Sequence, residues 1–161
     1  MISGLGSRRT QDRVLRRQNA LSCANGVSMD RPLTGRLILI AEDEPLVALE
    51  ITRAFEDEGA LVLRARTLKE ARLGVEAPGL SAAILDHALS DGESAEIRER
   101  MKEHNIPLVI FSGYDQLDGG CGEGVHVKKP ASMSVLVATV KGLLAEHSAK
   151  RRVRVNRREI S

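Results

Sequence analysis

The sequence predicts an α/β protein built on a doubly wound, five-stranded parallel sheet. From Arg36 onward, short apolar runs alternate with segments of helical spacing, which is typical of βα units around a parallel sheet. Several runs are apolar along their whole length, as in strands that are buried on both faces. A chain of 161 residues is long enough to bury such a core in a single domain.

The first βα unit is marked by its ends. The first predicted strand covers residues 37–41, and Pro45 favours the first turn of the helix that follows. Gly59 marks the end of this helix. Apolar residues at helical spacing form the face that we expect to pack on the sheet: Val47, Ile51, Ala54 and Phe55.

The next two units have weaker but readable signals. Residues 61–63 predict the second strand, and Thr67 with Glu70 has the form of a capping box that begins the second helix. Residues 82–85 predict the third strand, and the third helix is expected over 94–104.

The last two strands flank a segment that is poor in helix formers. They are predicted at 108–111 and 125–127, whereas residues 113–124 contain five glycines, so the fourth helix is expected to be short or absent. The fifth helix follows Pro130 and carries a clear apolar stripe, formed by Leu136, Val140, Leu143 and Leu144.

Charge divides the chain into three segments. Residues 1–35 carry six Arg and two Asp (+4), residues 36–149 carry twelve Lys or Arg and nineteen Asp or Glu (−7), and residues 150–161 carry six Lys or Arg and one Glu (+5). We predict a flexible basic arm over 1–35, a domain over 36–147 and a basic tail over 148–161. Met29 is an alternative start.

Composition also narrows the cellular setting. No apolar stretch reaches the ~18 residues that a membrane span needs, and the first residues lack the apolar centre of a secretory signal. We therefore expect a cytoplasmic protein. Cys23 and Cys121 have no metal-ligand spacing, and both are expected to be free thiols in a reducing compartment.

Polar groups follow four of the predicted strands. Glu42 and Asp43 follow the first, Asp86 the third, Ser112 the fourth and Lys129 the fifth. Ligands of open α/β sheets bind outside the carboxyl ends of the strands, so we expect these groups to share one pocket. Carboxylates, a hydroxyl and an amine together suit a phosphoryl group and a hard metal ion.

These groups, in this order and with Pro130 after Lys129, resemble the receiver domain of two-component response regulators. The resemblance covers about residues 36–147 and implies the flavodoxin-like (βα)5 fold. It makes Asp86 the phosphoacceptor. Lys129 would pair with Asp86 and then with a phosphoryl oxygen, while Ser112 would donate its hydroxyl to another oxygen.

The resemblance also implies a Mg²⁺ cofactor and a switch. Asp43 and Asp86 would be direct ligands, Glu42 would act through water, and the Ala88 backbone carbonyl would complete the set. A second set of residues concerns the switch. His126 stands three residues before Lys129, where the family carries a switch aromatic, and Tyr114 is a second candidate for that role.

The function that the resemblance implies is a stand-alone, CheY-like phosphorylation switch, which is not an enzyme. It would accept phosphate from a histidine kinase, a phosphotransfer protein or a small phosphodonor, and would then change its binding to an output protein whose identity the sequence leaves open. The alternative is a degenerate receiver that binds a protein partner without phosphorylation.

Two other classes fit the sequence less well. Haloacid-dehalogenase-like phosphatases place Asp-x-Asp on the first strand, whereas here that strand is followed by Glu42-Asp43-Glu44. The basic ends would give salt-sensitive, non-specific affinity for nucleic acid. Neither a helix-turn-helix nor an aromatic stacking platform accompanies them, so specific nucleic-acid binding is not expected.

Overall fold

The computed structural model of the protein describes residues 31–89, 92–113 and 124–158. Within these ranges five parallel strands form one sheet in the order β2-β1-β3-β4-β5, which confirms the predicted doubly wound arrangement. The strands are β1 (Leu37–Ala41), β2 (Leu61–Ala65), β3 (Leu80–Leu85), β4 (Leu108–Ser112) and β5 (Val125–Lys128). From β1 the chain first adds β2 on one side and then crosses to add β3, β4 and β5 on the other side. The strand order therefore changes direction between β1 and β3.

Four helices in the same ranges cover the two faces of the sheet. They are α1 (Pro45–Asp57), α2 (Leu68–Val75), α3 (Ala95–Glu103) and α4 (Met133–Arg158). The Thr67 hydroxyl accepts a hydrogen bond from the Glu70 N–H (3.2 Å), as the capping box predicts. The Glu70 carboxylate accepts from the N–H of Arg66 (2.7 Å), one residue earlier than the standard box places it.

The strands bury alternate residues in two separate cores. Ile38 and Ile40 join the core beneath α1 and α4, with Phe55 and Leu136. Leu39 and Ala41 enter the opposite core beneath α2 and α3. Because successive side chains of a strand point to opposite faces, both faces are apolar, which explains the continuous apolar runs in the sequence.

The packed domain begins earlier than the sequence indicates. Leu33, which the prediction assigned to the basic arm, is only 2% exposed and belongs to the core beneath α1 and α4. Its backbone N–H donates to the carbonyl of Glu58 (3.1 Å), at the end of α1. A turn over residues 31–35 therefore covers this core beside the end of α1. The packed domain begins at about residue 31, before the predicted boundary at residue 36.

The last helix is longer than its apolar stripe. Within 133–153, the part of the helix for which burial is described, the last buried residue is Leu144, yet the helix continues to Arg158. Most of the segment that was predicted as a basic tail is thus a helical extension of α4. Its residues 149–153 are exposed.

Several predictions fall on other parts of the chain. The short fourth helix, Tyr114 and Cys121 fall within 114–123, and the arm with Cys23 falls largely within 1–30, so all of these lie outside the described residues. After β3 the chain forms a small antiparallel pair of two-residue strands, Ala88–Leu89 and Gly92–Glu93. The helices were also compared with the requirements of a membrane span. Among the described helices, none combines the length and apolar character that crossing a bilayer requires.

Candidate functional site

The site lies at the carboxyl edge of the sheet, where β1 and β3 end side by side. The N–H of Asp86 donates to the carbonyl of Ala41 (2.9 Å), and the N–H of Glu42 donates to the carbonyl of Ala65 (3.0 Å). These bonds continue the strand ladders by one residue beyond β3 and β1. The two carboxylates are thus held by backbone that is as fixed as the strands themselves.

Three carboxylates gather at this edge. Glu42, Asp43 and Asp86 each place an oxygen within 4.8 Å of the others. Such a group of like charges is electrostatically unfavourable without a cation, and oxygen-only ligands suit a hard divalent ion. The donor set therefore fits the Mg²⁺ that the resemblance implies. Ala88 follows closely in the small strand pair, and the role of its carbonyl stays a prediction.

Lys129 supplies one cation to this cluster directly. Its Nζ donates to Oε2 of Glu42 (2.7 Å) and to Oδ2 of Asp86 (2.8 Å). The ammonium also lies 5.0 Å from the ring centroid of Phe111, within reach of a cation–π interaction. The ammonium thus bridges the carboxylates that follow β1 and β3, although its own residue follows β5.

Burial and hydrogen bonding together shift the pKa values of Glu42 and Lys129. Desolvation raises the pKa of the Glu42 carboxyl above its ordinary value, and the hydrogen bond from Lys129 offsets the rise only in part. Burial acts on Lys129 in the opposite direction, but its hydrogen bonds to Asp86 and Glu42 outweigh burial and leave the pKa of the ammonium raised. Lys129 is therefore charged at neutral pH.

The other predicted residues lie nearby or are exposed. Ser112 ends β4, is 3% exposed and pairs in register with Lys128 of β5. Its carbonyl accepts from the N–H of Lys129 (2.8 Å), so β4 fixes the backbone that carries the lysine. His126 is exposed on β5 and pairs in register with Ile110 of β4.

Two contributions were missed in the sequence. The resemblance paired Lys129 with Asp86 alone, whereas the structure adds Glu42 as an equally close partner. Phe111 belongs to the predicted strand over 108–111, and the structure adds that its ring faces the ammonium of Lys129. Strand alternation carried a signal for Glu42, because it follows Ile38 and Ile40 on the same face of β1.

The chain is similar in sequence and in fold to known response regulators. No protein-family model matches the sequence. Over 125 residues, or 71% of the chain, it is 30% identical to the phyllosphere-induced regulator PhyR of Methylorubrum extorquens. The match covers 46% of PhyR, and the chain spans about half the length of the curated relatives it matches.

Solved structures agree with this similarity. A CheY-like response regulator receiver domain protein from Methanospirillum hungatei superposes with a TM-score of 0.66 at 24% identity, covering 71% of this chain and 98% of that one. The response regulator PhyR from Brucella abortus gives a TM-score of 0.65 at 26% identity, covering 77% and 54% of the two chains. The sheet order and these similarities together show that this chain contains a domain with the receiver fold of response regulators.

Proposed function

We propose that this domain accepts a phosphoryl group on Asp86 in a Mg²⁺-dependent reaction and thereby changes its affinity for a protein partner. The observation that carries the proposal is the contact of Lys129 with both Glu42 and Asp86, beside a third carboxylate from Asp43. A carboxylate can attack an anionic phosphoryl group only when the repulsion between them is neutralised. Asp86 lies beside the ammonium of Lys129 and also belongs to the group of carboxylates that could bind a metal ion.

The chain's own groups have distinct tasks in this reaction. An oxygen of Asp86 attacks phosphorus, the bond from phosphorus to the donor breaks, and the donor leaves with the bonding electrons. Lys129 holds Asp86 in place beforehand and would then contact a phosphoryl oxygen. The hydroxyl of Ser112 would donate to another. Mg²⁺, held by Asp43 and Asp86 with Glu42 acting through water, would supply further positive charge to the phosphoryl oxygens.

The donor and the output follow from the same chemistry. A histidine kinase, a phosphotransfer protein or a small acyl phosphate could each supply the phosphoryl group, and the phosphorylated domain would act as a signalling component of a phosphorelay and not as an enzyme. Ser112 ends β4 and Lys129 directly follows the neighbouring β5, so a phosphoryl group held by both would shift their side chains at the carboxyl ends of these paired strands. Exposed His126, on β5, is the described residue best placed to report that change.

The proposal is tested by intact-mass measurement after incubation of the full chain with acetyl phosphate and Mg²⁺. We expect one added phosphoryl group on the wild type and none on Asp86→Asn. The matched control is Asp57→Asn, an exposed aspartate of α1, which should be labelled like the wild type. Equal labelling of Asp86→Asn, under acidic conditions that preserve acyl phosphates, would assign the phosphoryl group elsewhere.

The alternative function is that of a degenerate receiver, which binds its partner without phosphorylation. Absence of labelling on the wild type, together with partner binding that survives Asp86→Asn, would select this function over phosphoryl transfer.

A further inference from the structure

A groove lies at the opposite edge of the sheet from Asp86. It is bounded by α3, by Leu108 and Val125 at the starts of β4 and β5, and by the second half of α4, and it has a volume of about 440 Å³. A second space of about 430 Å³ adjoins it along α4, since both are lined by Asn105, His147 and Lys150. A bound ligand there would leave the carboxylate cluster uncovered.

The groove combines an apolar floor with a basic rim. Its floor includes Met101, Leu108 and Leu143, and Val153 extends the apolar surface along α4, where it is 61% exposed. The rim carries cationic side chains from α3 and α4 against the single acid Glu146: Arg98, Lys102, Lys150 and Arg151. This charge is opposite to that of the segment 36–149 as a whole, which is −7.

Arg98 adds an observation that points to a ligand. Its Nε is buried and makes no hydrogen bond within the part of the chain that the structure describes. A carboxylate is the acceptor that matches a guanidinium best, so a change of the Arg98 side-chain rotamer toward the groove would let a bound carboxylate satisfy this donor. The donor belongs to a residue that lines the groove.

We propose that this groove binds an acidic segment of a partner protein, one that carries apolar side chains between its Asp or Glu residues. Its carboxylates would pair with Arg98, Lys150 and Arg151, and its apolar side chains would cover the floor and Val153. A nucleic acid offers negative charge but no aliphatic side chains for this floor, and no aromatic side chain among the described lining residues offers a base a stacking surface.

The basic part of the proposal is tested with a fluorescein-labelled peptide of Glu, Leu and Ala whose Leu residues have helical spacing. Fluorescence polarisation should show binding to the full chain that weakens with salt, and the double variant Lys150→Glu/Arg151→Glu should weaken it by about tenfold or more. The matched control reverses two exposed arginines elsewhere, Arg53→Glu/Arg64→Glu, and should bind like the wild type.

The apolar part is tested on α4 itself. Val153→Ser should weaken peptide binding by roughly threefold, because it removes exposed apolar area from the groove. Val135→Ser is the control, since Val135 is 50% exposed on the same helix and does not line the groove. A peptide with Gln in place of Glu should bind weakly to the wild type.

Other outcomes would overturn the proposal. Failure of the wild type to bind the peptide, or equal loss in both charge-reversal pairs, would remove the groove as an acidic-segment site. Tighter binding of a single-stranded DNA oligomer than of the peptide would assign the surface to nucleic acid. A dimer in sedimentation that Lys150→Glu/Arg151→Glu dissociates would assign it to a second copy of the chain.

Discussion

At the scale of single residues, three charged residues of the site stand two positions after buried apolar residues of their strands. Ile40, Ile84 and Val127 all face the core beneath α1 and α4. Two positions after each of them stands a charged residue: Glu42, Asp86 and Lys129. Because a strand repeats every two residues, the three charges emerge above the same core, and the low dielectric beneath them strengthens their attraction.

Glu42 should make stability depend on pH in a recognisable way. Its folded-state pKa is raised above the ordinary value of 4.5, so protonation favours the folded state. That contribution is fully present below pH 4.5 and is lost as pH rises through the folded pKa. Urea unfolding of the wild type and of Glu42→Gln should therefore differ increasingly in favour of the variant as pH is raised from 4.5 to neutrality.

The control for this experiment is Glu50→Gln, an exposed residue of α1. Its difference from the wild type should stay nearly constant over the same pH range. A Glu42→Gln difference that is flat in pH, or that shifts in favour of the wild type, would contradict the assignment of a raised pKa to the buried carboxyl.

At the scale of elements, α2 packs against the sheet so closely that one of its positions needs glycine. A Cβ at Gly74 would lie 2.7 Å from Cδ1 of Leu39 and 3.3 Å from Cδ2 of Leu63. Leu39 is fully buried and has little room to move. The helix therefore keeps a residue of poor helix propensity because the alternative would push it off the sheet.

Alanine substitution should separate packing from propensity. Gly74→Ala should lower the free energy of unfolding by about 1–2 kcal/mol, because overpacking exceeds the gain in helix propensity. Gly142→Ala in α4 is the matched control, since no atom lies within 4 Å of its added Cβ, and it should stabilise by roughly 0.5–1 kcal/mol. Both are measured by urea denaturation, and a stabilising Gly74→Ala would mean that α2 can move away from β1.

The turn before β1 is also an element of the fold and not an appendage. Leu33→Ala should lower the free energy of unfolding by about 2–4 kcal/mol, as for other buried leucines. Leu46→Ala is the control, because Leu46 is 72% exposed, and it should change stability by less than about 0.5 kcal/mol. Equal, small effects in chemical denaturation would restore the predicted boundary at residue 36.

At the scale of the whole molecule, the three carboxylates should link cation binding to folding. A divalent ion that binds only the folded cluster stabilises it by mass action, so millimolar Mg²⁺ should raise the Tm of the wild type by several degrees. Asp43→Ala should remove most of this rise by removing one of the three carboxylates. Differential scanning fluorimetry measures both.

The control is Asp57→Ala, which removes an exposed aspartate from α1 and should leave the Mg²⁺ response intact. A wild-type Tm that is indifferent to Mg²⁺ would count against a metal site at this edge. It would favour the function in which the partner binds without phosphorylation.

Local sequence signals were enough to predict the five strands and the starts of the first two helices. The short apolar runs over 37–41 and 108–111 are typical of strands buried on both faces, and Pro45 and Thr67 mark helix starts through local geometry and capping bonds. These signals depend on neighbours along the chain. They are therefore readable without the fold.

Which polar groups of the site make contact depends on the order of the strands in the sheet. Lys129 follows β5, three strands away from β1, a separation of roughly 14 Å between strand axes, so nothing local indicates that its ammonium reaches Glu42 as well as Asp86. The burial of Leu33 depends on the end of α1, and the need for Gly74 depends on Leu39 across the interface. Contacts between residues distant in sequence depend on sheet order and packing distance, which the pattern of a single chain does not encode locally.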